Sequence, residues 1–299
     1  MKHATPRNFL DTSPEFSAYD KSKIVILPVP FDKTSIWLRG AEKGPKAIIE
    51  ASRYLEDYDI ETKSEIYRKG IFTDKPVKAA TSEEMIKKTY ERLSALLSDG
   101  KFVVTLGGEH SVSIPSIRAH AEKFKSMSVL HLDAHSDRRD FYGDGRESIY
   151  SHACIIARAK ESVKNVVSVG VRSMDSSELA SAMKDKIFYA HEIRGAKESQ
   201  WINKVVNALS DNVYVTIDLD VFEVGLMPST GMPEPGGLGW YEVLRLLRAV
   251  AKNKNIVGFD VMELCPSPSN RAPDALAAKL VQVLLSYKFF AGKYAKRKT

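Results

Sequence analysis

Six short apolar runs constrain what this 299-residue sequence can fold into. They are KIVILPVP at 23–30, KFVVTLGG at 101–108, MSVLHLD at 127–133, VVSVGVRS at 166–173, VYVTIDLD at 213–220 and NIVGFDVME at 255–263. Each is a nearly continuous stretch of Val, Ile and Leu, the pattern of a strand buried on both faces. Helical patterns lie between several of them. GPKAIIEASRYLEDY carries Pro45 where a first helical turn accepts it. TSEEMIKKTYERLSALLSDG opens on a capping box, Thr81 and Glu84, and closes at Gly100. Met85, Leu93, Leu96 and Leu97 form its apolar stripe. Residues 239–252 and APDALAAKLVQVLLSYKFF continue the alternation. Strands of this kind between helices predict an α/β fold, a three-layer αβα sandwich with a mostly parallel central sheet. No linker or repeat interrupts the pattern, so one domain is expected over residues 1–299.

Ligands of such sheets bind at the carboxyl ends of the strands. Four runs end in acids and imidazoles: Glu109 and His110 in GGEHS, Asp133, His135 and Asp137 in DAHSD, Asp218 and Asp220 in DLD, Asp260 and Glu263 in DVMEL. Each alone has an ordinary explanation as a packed histidine, a turn or a helix cap. Together they place about five carboxylates at one sheet edge without a counter-charge, and burying unpaired carboxylates is costly. Bound divalent metal removes the conflict. In extended backbone, alternate residues share a face, so Asp133, His135 and Asp137 can converge, as can Asp218 and Asp220. Asp and His ligands without cysteine suit Mn²⁺ best, with Fe²⁺ or Zn²⁺ as substitutes. The four aspartates Asp133, Asp137, Asp218 and Asp220 balance two divalent ions.

The net charge of +6 and a pI near 9.0 raise the question of nucleic acid. Part of that excess lies in the terminal KYAKRKT, and no nucleic-acid motif accompanies it. No apolar stretch is long enough to span a membrane, and MKHATPRNFLDTSPEF has no secretory pattern. Two cysteines, Cys154 and Cys265, cannot form a disulfide framework and are expected as packed thiols. These features predict a cytoplasmic protein with no nucleic-acid or membrane partner.

Along nearly its whole length the sequence resembles the ureohydrolase family of arginases, agmatinases and their relatives. The motifs are VPFDKTSIWLRGAEKGPKAI, GGEHS, HLDAHSD, YSHA, GVRS, TIDLDVF, TGMPEPGGL and DVMEL. The resemblance implies a hydroxide-bridged manganese pair, two Mn²⁺ per chain. One ion would take His110, Asp133, Asp137 and Asp218; the other would take Asp133, His135, Asp218 and Asp220. It gives His152, in YSHA, the part of proton shuttle. Glu263 would face a guanidinium group, or alternatively support a metal ligand. The implied reaction is hydroxide attack on a guanidinium carbon, releasing urea and an amine, with His152 titrating near neutrality. Agmatine is the expected substrate, giving putrescine for polyamine biosynthesis, and a homo-oligomer (trimer or hexamer) is implied. Guanidinobutyrate and arginine are alternative substrates. A one-zinc deacetylase of related fold and a non-catalytic metal-binding or regulatory member are the other readings.

Two departures from the family pattern stand out. Glu223-Val224 replaces a usual Asp-Pro, which predicts a changed loop and intact metal ligands. Cys154 follows YSHA where glycine-containing sequence is frequent. The segment RRDFYGDGRESIYS, between Asp137 and His152, is expected to select the substrate tail. Asp140 and Tyr142 are its candidate contacts, with Phe141, Asp144 and Glu147 also available and Arg138, Arg139 and Arg146 opposing them.

Overall fold

The structure is a computed structural model and describes residues 8–143 and 148–292. The acidic and basic candidates Asp144, Arg146 and Glu147, and the basic tail 293–299, lie outside the described residues.

Ten strands are present: β1 (Ile24–Val29), β2 (Tyr58–Asp59), β3 (Ser64–Glu65), β4 (Ile71–Thr73), β5 (Phe102–Gly107), β6 (Ser128–Leu132), β7 (Asn165–Val169), β8 (Lys186–Phe188), β9 (Asn212–Asp218) and β10 (Asn255–Met262). β2 and β3 form a small antiparallel pair. The other eight make one parallel sheet in the order β4-β1-β5-β10-β9-β6-β7-β8. All six sequence runs are therefore strands. The two edge strands were missed, being three residues each and partly exposed.

Along each strand the side chains divide between two helical layers. Ile24 and Ile26 of β1 and Leu130 and Leu132 of β6 pack with helices 44–52, 198–208, 240–253 and 272–286. Val25, Leu27, Val103 and Val129 face the other layer, built from helices 82–98, 113–123 and 155–159. Register in β10 shifts between Ile256 and Gly258. That bulge flips the alternation, so Ile256 and Phe259 share a layer. Pro28 fits inside β1 because β4 pairs only as far as Ile26.

The helix over 82–98 is capped as its sequence requires: Thr81 Oγ1 accepts from Glu84 N at 3.2 Å. Gly100 follows with a φ of 75°, a conformation that suits glycine.

This order puts β5, β10, β9 and β6 side by side at the centre of the sheet. The four strands that end in acids and imidazoles are thus consecutive neighbours. Their carboxyl ends meet at one edge, where the sequence order of the strands reverses. Among the described residues no helix is long and apolar enough to cross a membrane.

Candidate metal centre and its cavity

His110 follows β5 through Gly107-Gly108. A side chain at Gly108 would place its Cβ 2.0 Å from Phe31 O, so close backbone approach demands glycine there. His110 is fully buried, and its Nε2 lies 2.8 Å from Thr216 Oγ1 on β9. Its Nδ1 has no hydrogen-bond partner among the described residues. It lies instead 3.0 Å from Asp133, 3.3 Å from Asp137 and 3.3 Å from Asp218. A ring nitrogen and three carboxylates, all acceptors when the ring is neutral, surround one point. Only a cation can satisfy them together. Without metal a proton must do so. Burial opposes charge on His110, but the three aspartates outweigh it and hold its pKa well above the ordinary value.

A second group adjoins the first. His135 Nδ1 is 2.8 Å from Asp220 and 3.6 Å from Asp133. Donor atoms of Asp133, His135 and Asp220 cluster within metal-binding reach, as do those of His110, His131, Asp133 and Asp137. Asp133 belongs to both clusters. The residues therefore fit a pair of divalent ions, and all six sequence-derived ligands are brought together.

The backbone that gathers them is not the extended chain expected. Asp137 has a φ of 53°, and the left-handed turn swings its carboxylate back toward His110. Asp218 caps a 3₁₀ turn that contains Asp220, and Asp218 Oδ1 accepts from Asp220 N at 2.9 Å. The turn, and not strand alternation, joins them. Packed carboxylates share the cost. Burial and the charge of Asp133 push Asp137 up to about 7. Burial and the charges of Asp220 and Asp133 raise Asp218 well above the carboxylate range.

His131 was missed. It precedes Asp133 by two and shares its face, a signal strand alternation does carry. Its Nε2 is 2.8 Å from Asp133 Oδ2 and its Nδ1 is 3.1 Å from Ser168 Oγ. Burial lowers its pKa. Arg138 Nη2 donates to the same Ser168 Oγ at 2.8 Å. Ser168 therefore gives its own proton to His131 Nδ1, and His131 donates from Nε2 to Asp133. Ligating carboxylates need such outer partners to hold their orientation.

His152 and Glu263 line one cavity of about 230 Å³ together with His110, His135, Asp137, Asp218 and Asp220. Glu263 has a φ of 66° at the end of β10, a strained position for a non-glycine residue. Its Oε1 accepts from His110 N at 2.7 Å. It thus braces the backbone of His110 and borders the cavity at once. Burial first, then the charge of Glu109, raises its pKa well above the ordinary value. Asp260, read as a strand-end acid, lies inside β10 and bonds Tyr214 OH at 2.8 Å, away from the cavity.

Thr34 was also missed, and Glu109, counted among the strand-end acids, was given no role of its own. Thr34 Oγ1 donates to Glu109 Oε1 at 2.7 Å and accepts from His152 N at 3.0 Å. His152 Nδ1 is 3.2 Å from the same oxygen. The Thr34 proton is committed to Glu109, so His152 carries its proton on Nδ1 and leaves Nε2 free. Burial, reinforced by His135 and His110, pushes His152 down to about 4. Titration near neutrality, expected from the sequence, is corrected: His152 is a neutral imidazole that can accept a proton.

The segment after Asp137 divides in three directions. Arg138 turns inward, its side chain fully buried against Asp185 at 3.1 Å. Arg139 lines the cavity and stacks on Tyr142 at 4.3 Å. Tyr142 is on the cavity wall, edge-on to His152. Asp140 points to solvent, its side chain 87% exposed and 3.9 Å from Arg158, outside the cavity. Much of the remaining wall comes instead from Trp37 and Leu38, from 173–175 with Glu178, and from Met232 and Glu234. Cys154 is buried but does not line the cavity, and burial with the nearby Asp137 charge pushes its thiol up to about 12. Glu223 of the altered loop pairs with Arg194 at 3.1 Å, while Asp218 and Asp220 keep their places.

Known proteins agree with this geometry. Residues 22–286 match the family model described as the arginase family. An N(1)-aminopropylagmatine ureohydrolase of Thermus thermophilus is 39% identical over 267 residues, 88% of this chain and 89% of the relative. An agmatinase of Pyrococcus horikoshii is 35% identical over 260 residues, 86% of this chain and 89% of the relative. The agmatine ureohydrolase structure of Thermoplasma volcanium superposes with a TM-score of 0.88 at 29% identity, covering 99% of this chain and 97% of that one. With its parallel αβα sheet and its paired carboxylate–imidazole clusters, the chain belongs to the arginase family of guanidino hydrolases.

Proposed function

We propose that the protein is a two-manganese ureohydrolase acting on linear guanidino-amines of the agmatine type, releasing urea and the amine. The observation that carries the substrate class is the charge of the cavity wall. Outside the metal cluster and Glu263, the wall among the described residues has three carboxylates, Asp175, Glu178 and Glu234, and one guanidinium, Arg139. Arg139 is already near Asp175 at 3.5 Å and Glu178 at 3.8 Å. Such a wall favours a cationic tail over the carboxylate of arginine or guanidinobutyrate. Agmatine is the simplest substrate of this class, and its product would be putrescine.

His110, Asp133, Asp137 and Asp218 would hold one ion and Asp133, His135, Asp218 and Asp220 the other. Bound there, the ions supply Lewis acidity and make a water nucleophilic at neutral pH. The balanced reaction adds one water to the guanidinium, breaks its bond to the substrate nitrogen and leaves urea and a protonated amine. Glu263 orients the guanidinium through a charge-assisted contact, which also supplies the counter-charge its buried carboxylate lacks. His152, held by Thr34 with Nε2 free, accepts a proton and returns it to the departing amine. Residence in the cytoplasm, a homo-oligomeric assembly and a part in polyamine biosynthesis accompany this reading and rest on family similarity.

Urea release from the manganese-loaded protein tests it, across agmatine, N(1)-aminopropylagmatine, arginine and guanidinobutyrate. The cationic tails should be preferred. Preference for either acid would reject the substrate class, and no urea from any of the four would reject catalysis. Asp133→Ala should lose metal and activity together.

A further inference from the structure

The three carboxylates of the cavity wall sit on two different loops and are not equivalent. Asp175 and Glu178, after β7, are engaged. Asp175 Oδ1 accepts from Ser177 N at 2.9 Å and Ser177 Oγ at 2.6 Å. Glu178 accepts from Arg138 N at 2.7 Å and Asp175 N at 2.9 Å, and both acids lie near Arg139. Glu234, between β9 and the helix over 240–253, is half-buried in the wall, and its carboxylate has no ion pair or hydrogen bond among the described residues.

Its backbone, by contrast, is firmly held. Pro233 and Pro235 flank it and restrict the chain. Arg172 Nη2 donates to Glu234 O at 2.6 Å, and Arg172 Nε donates to Pro235 O at 2.9 Å. The same guanidinium donates to Asp220 O at 2.6 Å, tying this wall to a metal-ligand loop. Three residues earlier, Gly231 O accepts from Leu38 N at 3.4 Å. That contact brings Trp37, 62% exposed, into the same wall. A carboxylate on a firmly held backbone, unpaired among the described residues and in a wall with a large aromatic face, suits an organic ammonium.

Charge decides how many ammonium groups the wall accepts. Two divalent ions neutralise the four aspartates of the cluster, and a guanidinium neutralises Glu263. Among the described residues, one guanidinium against three carboxylates then leaves the wall with two negative charges. Agmatine's tail has one ammonium and would leave a carboxylate unmatched. An aminopropyl extension adds a second.

We infer that, given the ureohydrolase activity proposed above, Glu234 with Trp37 determines specificity for the outer part of the substrate, and that the preferred substrates are guanidino-polyamines with two ammonium groups in the tail. Asp175 and Glu178 serve one ammonium, and Glu234 serves the other.

The test compares wild type, Glu234→Gln, Glu234→Asp and Trp37→Ala, all manganese-loaded, on N(1)-aminopropylagmatine, agmatine and butylguanidine. Wild type should favour N(1)-aminopropylagmatine. Glu234→Gln should raise KM for that substrate by roughly tenfold to 100-fold, the loss of one charge-assisted hydrogen bond, with kcat little changed. The loss should be smaller for agmatine and least for butylguanidine. Glu234→Asp should recover part of it, and Trp37→Ala should weaken the same substrates in the same order. Equal losses on all three guanidines, or a fall in kcat with KM unmoved, would give Glu234 a merely structural role and overturn the inference. Wild type preferring agmatine would overturn the two-ammonium claim. Failure of wild type on every guanidine would instead defeat the ureohydrolase reading itself.

Discussion

His131 Nε2 stands 2.8 Å from Asp133 Oδ2, on the carboxylate that both candidate metal clusters share. Ser168 and Arg138 complete the support behind it. Removing an outer-shell partner of this kind usually costs about tenfold to 100-fold in metal affinity. His131→Phe should therefore bind manganese that much more weakly while keeping the fold's secondary structure. Competition with a chelator of known affinity measures it. Unchanged affinity would show that Asp133 is positioned without His131.

The sheet was legible because six strands buried on both faces leave continuous apolar runs. β4 and β8 were not, since three partly exposed edge residues carry no such pattern. The gathering of carboxylates and imidazoles was legible from the strand ends, but the backbone that achieves it was not. Asp137 reaches His110 by a positive φ, which no sequence period announces. Thr34 meets Glu109 because β1 lies beside β5, and the long segment after β6 returns to set His152 against the same hydroxyl. Arg138, Arg139 and Asp140 point to the core, the cavity and the solvent in turn. An irregular loop has no period from which those directions follow.

Manganese uptake should release protons. In the metal-free protein burial opposes charge on His135, but Asp220 and Asp133 push it up to about 12. Burial and Asp133 push Asp137 up to about 7. Both folded-state values are raised, so both groups add stability at low pH and lose it as pH rises. Asp137 loses its contribution between its ordinary 3.8 and about 7, and His135 from its ordinary 6.5 upward. His152 is shifted the other way, and its contribution is already complete above 6.5. Metal must displace the protons on Asp137 and His135. Affinity should rise with pH through about 7 and keep rising above it, with at least one proton released per chain near pH 7. Calorimetric titration in two buffers of different ionisation enthalpy counts the protons. A flat affinity with no proton release would be incompatible with these shifts.

Glu263→Gln separates the two duties of that side chain. The amide oxygen can still accept from His110 N, which Glu263 Oε1 does at 2.7 Å. Metal content should therefore be retained. The negative charge that orients a guanidinium is lost, and misplacing a reactant by about 1 Å can cost 100-fold in rate. A fall of roughly that size in kcat/KM, with two manganese ions still bound, is expected. Loss of metal in parallel with activity would mean that Glu263 serves the metal site alone.

Thr34→Val should impair proton transfer without touching a metal ligand. The hydroxyl joins Glu109 Oε1 at 2.7 Å to His152 Nδ1 at 3.2 Å and thereby fixes which ring nitrogen carries the proton. Valine keeps the shape and removes the acceptor. The imidazole is then free to place its proton on Nε2, where it cannot accept another. A positioned proton-transfer group contributes roughly 100-fold to 10,000-fold to rate, which sets the ceiling on the loss. The drop should fall on kcat, with KM and manganese stoichiometry preserved, and Thr34→Ser should restore most of it. Measured side by side, full kcat in Thr34→Val would leave His152 oriented by packing alone, and failure of serine to rescue would assign the effect to volume instead of the hydroxyl.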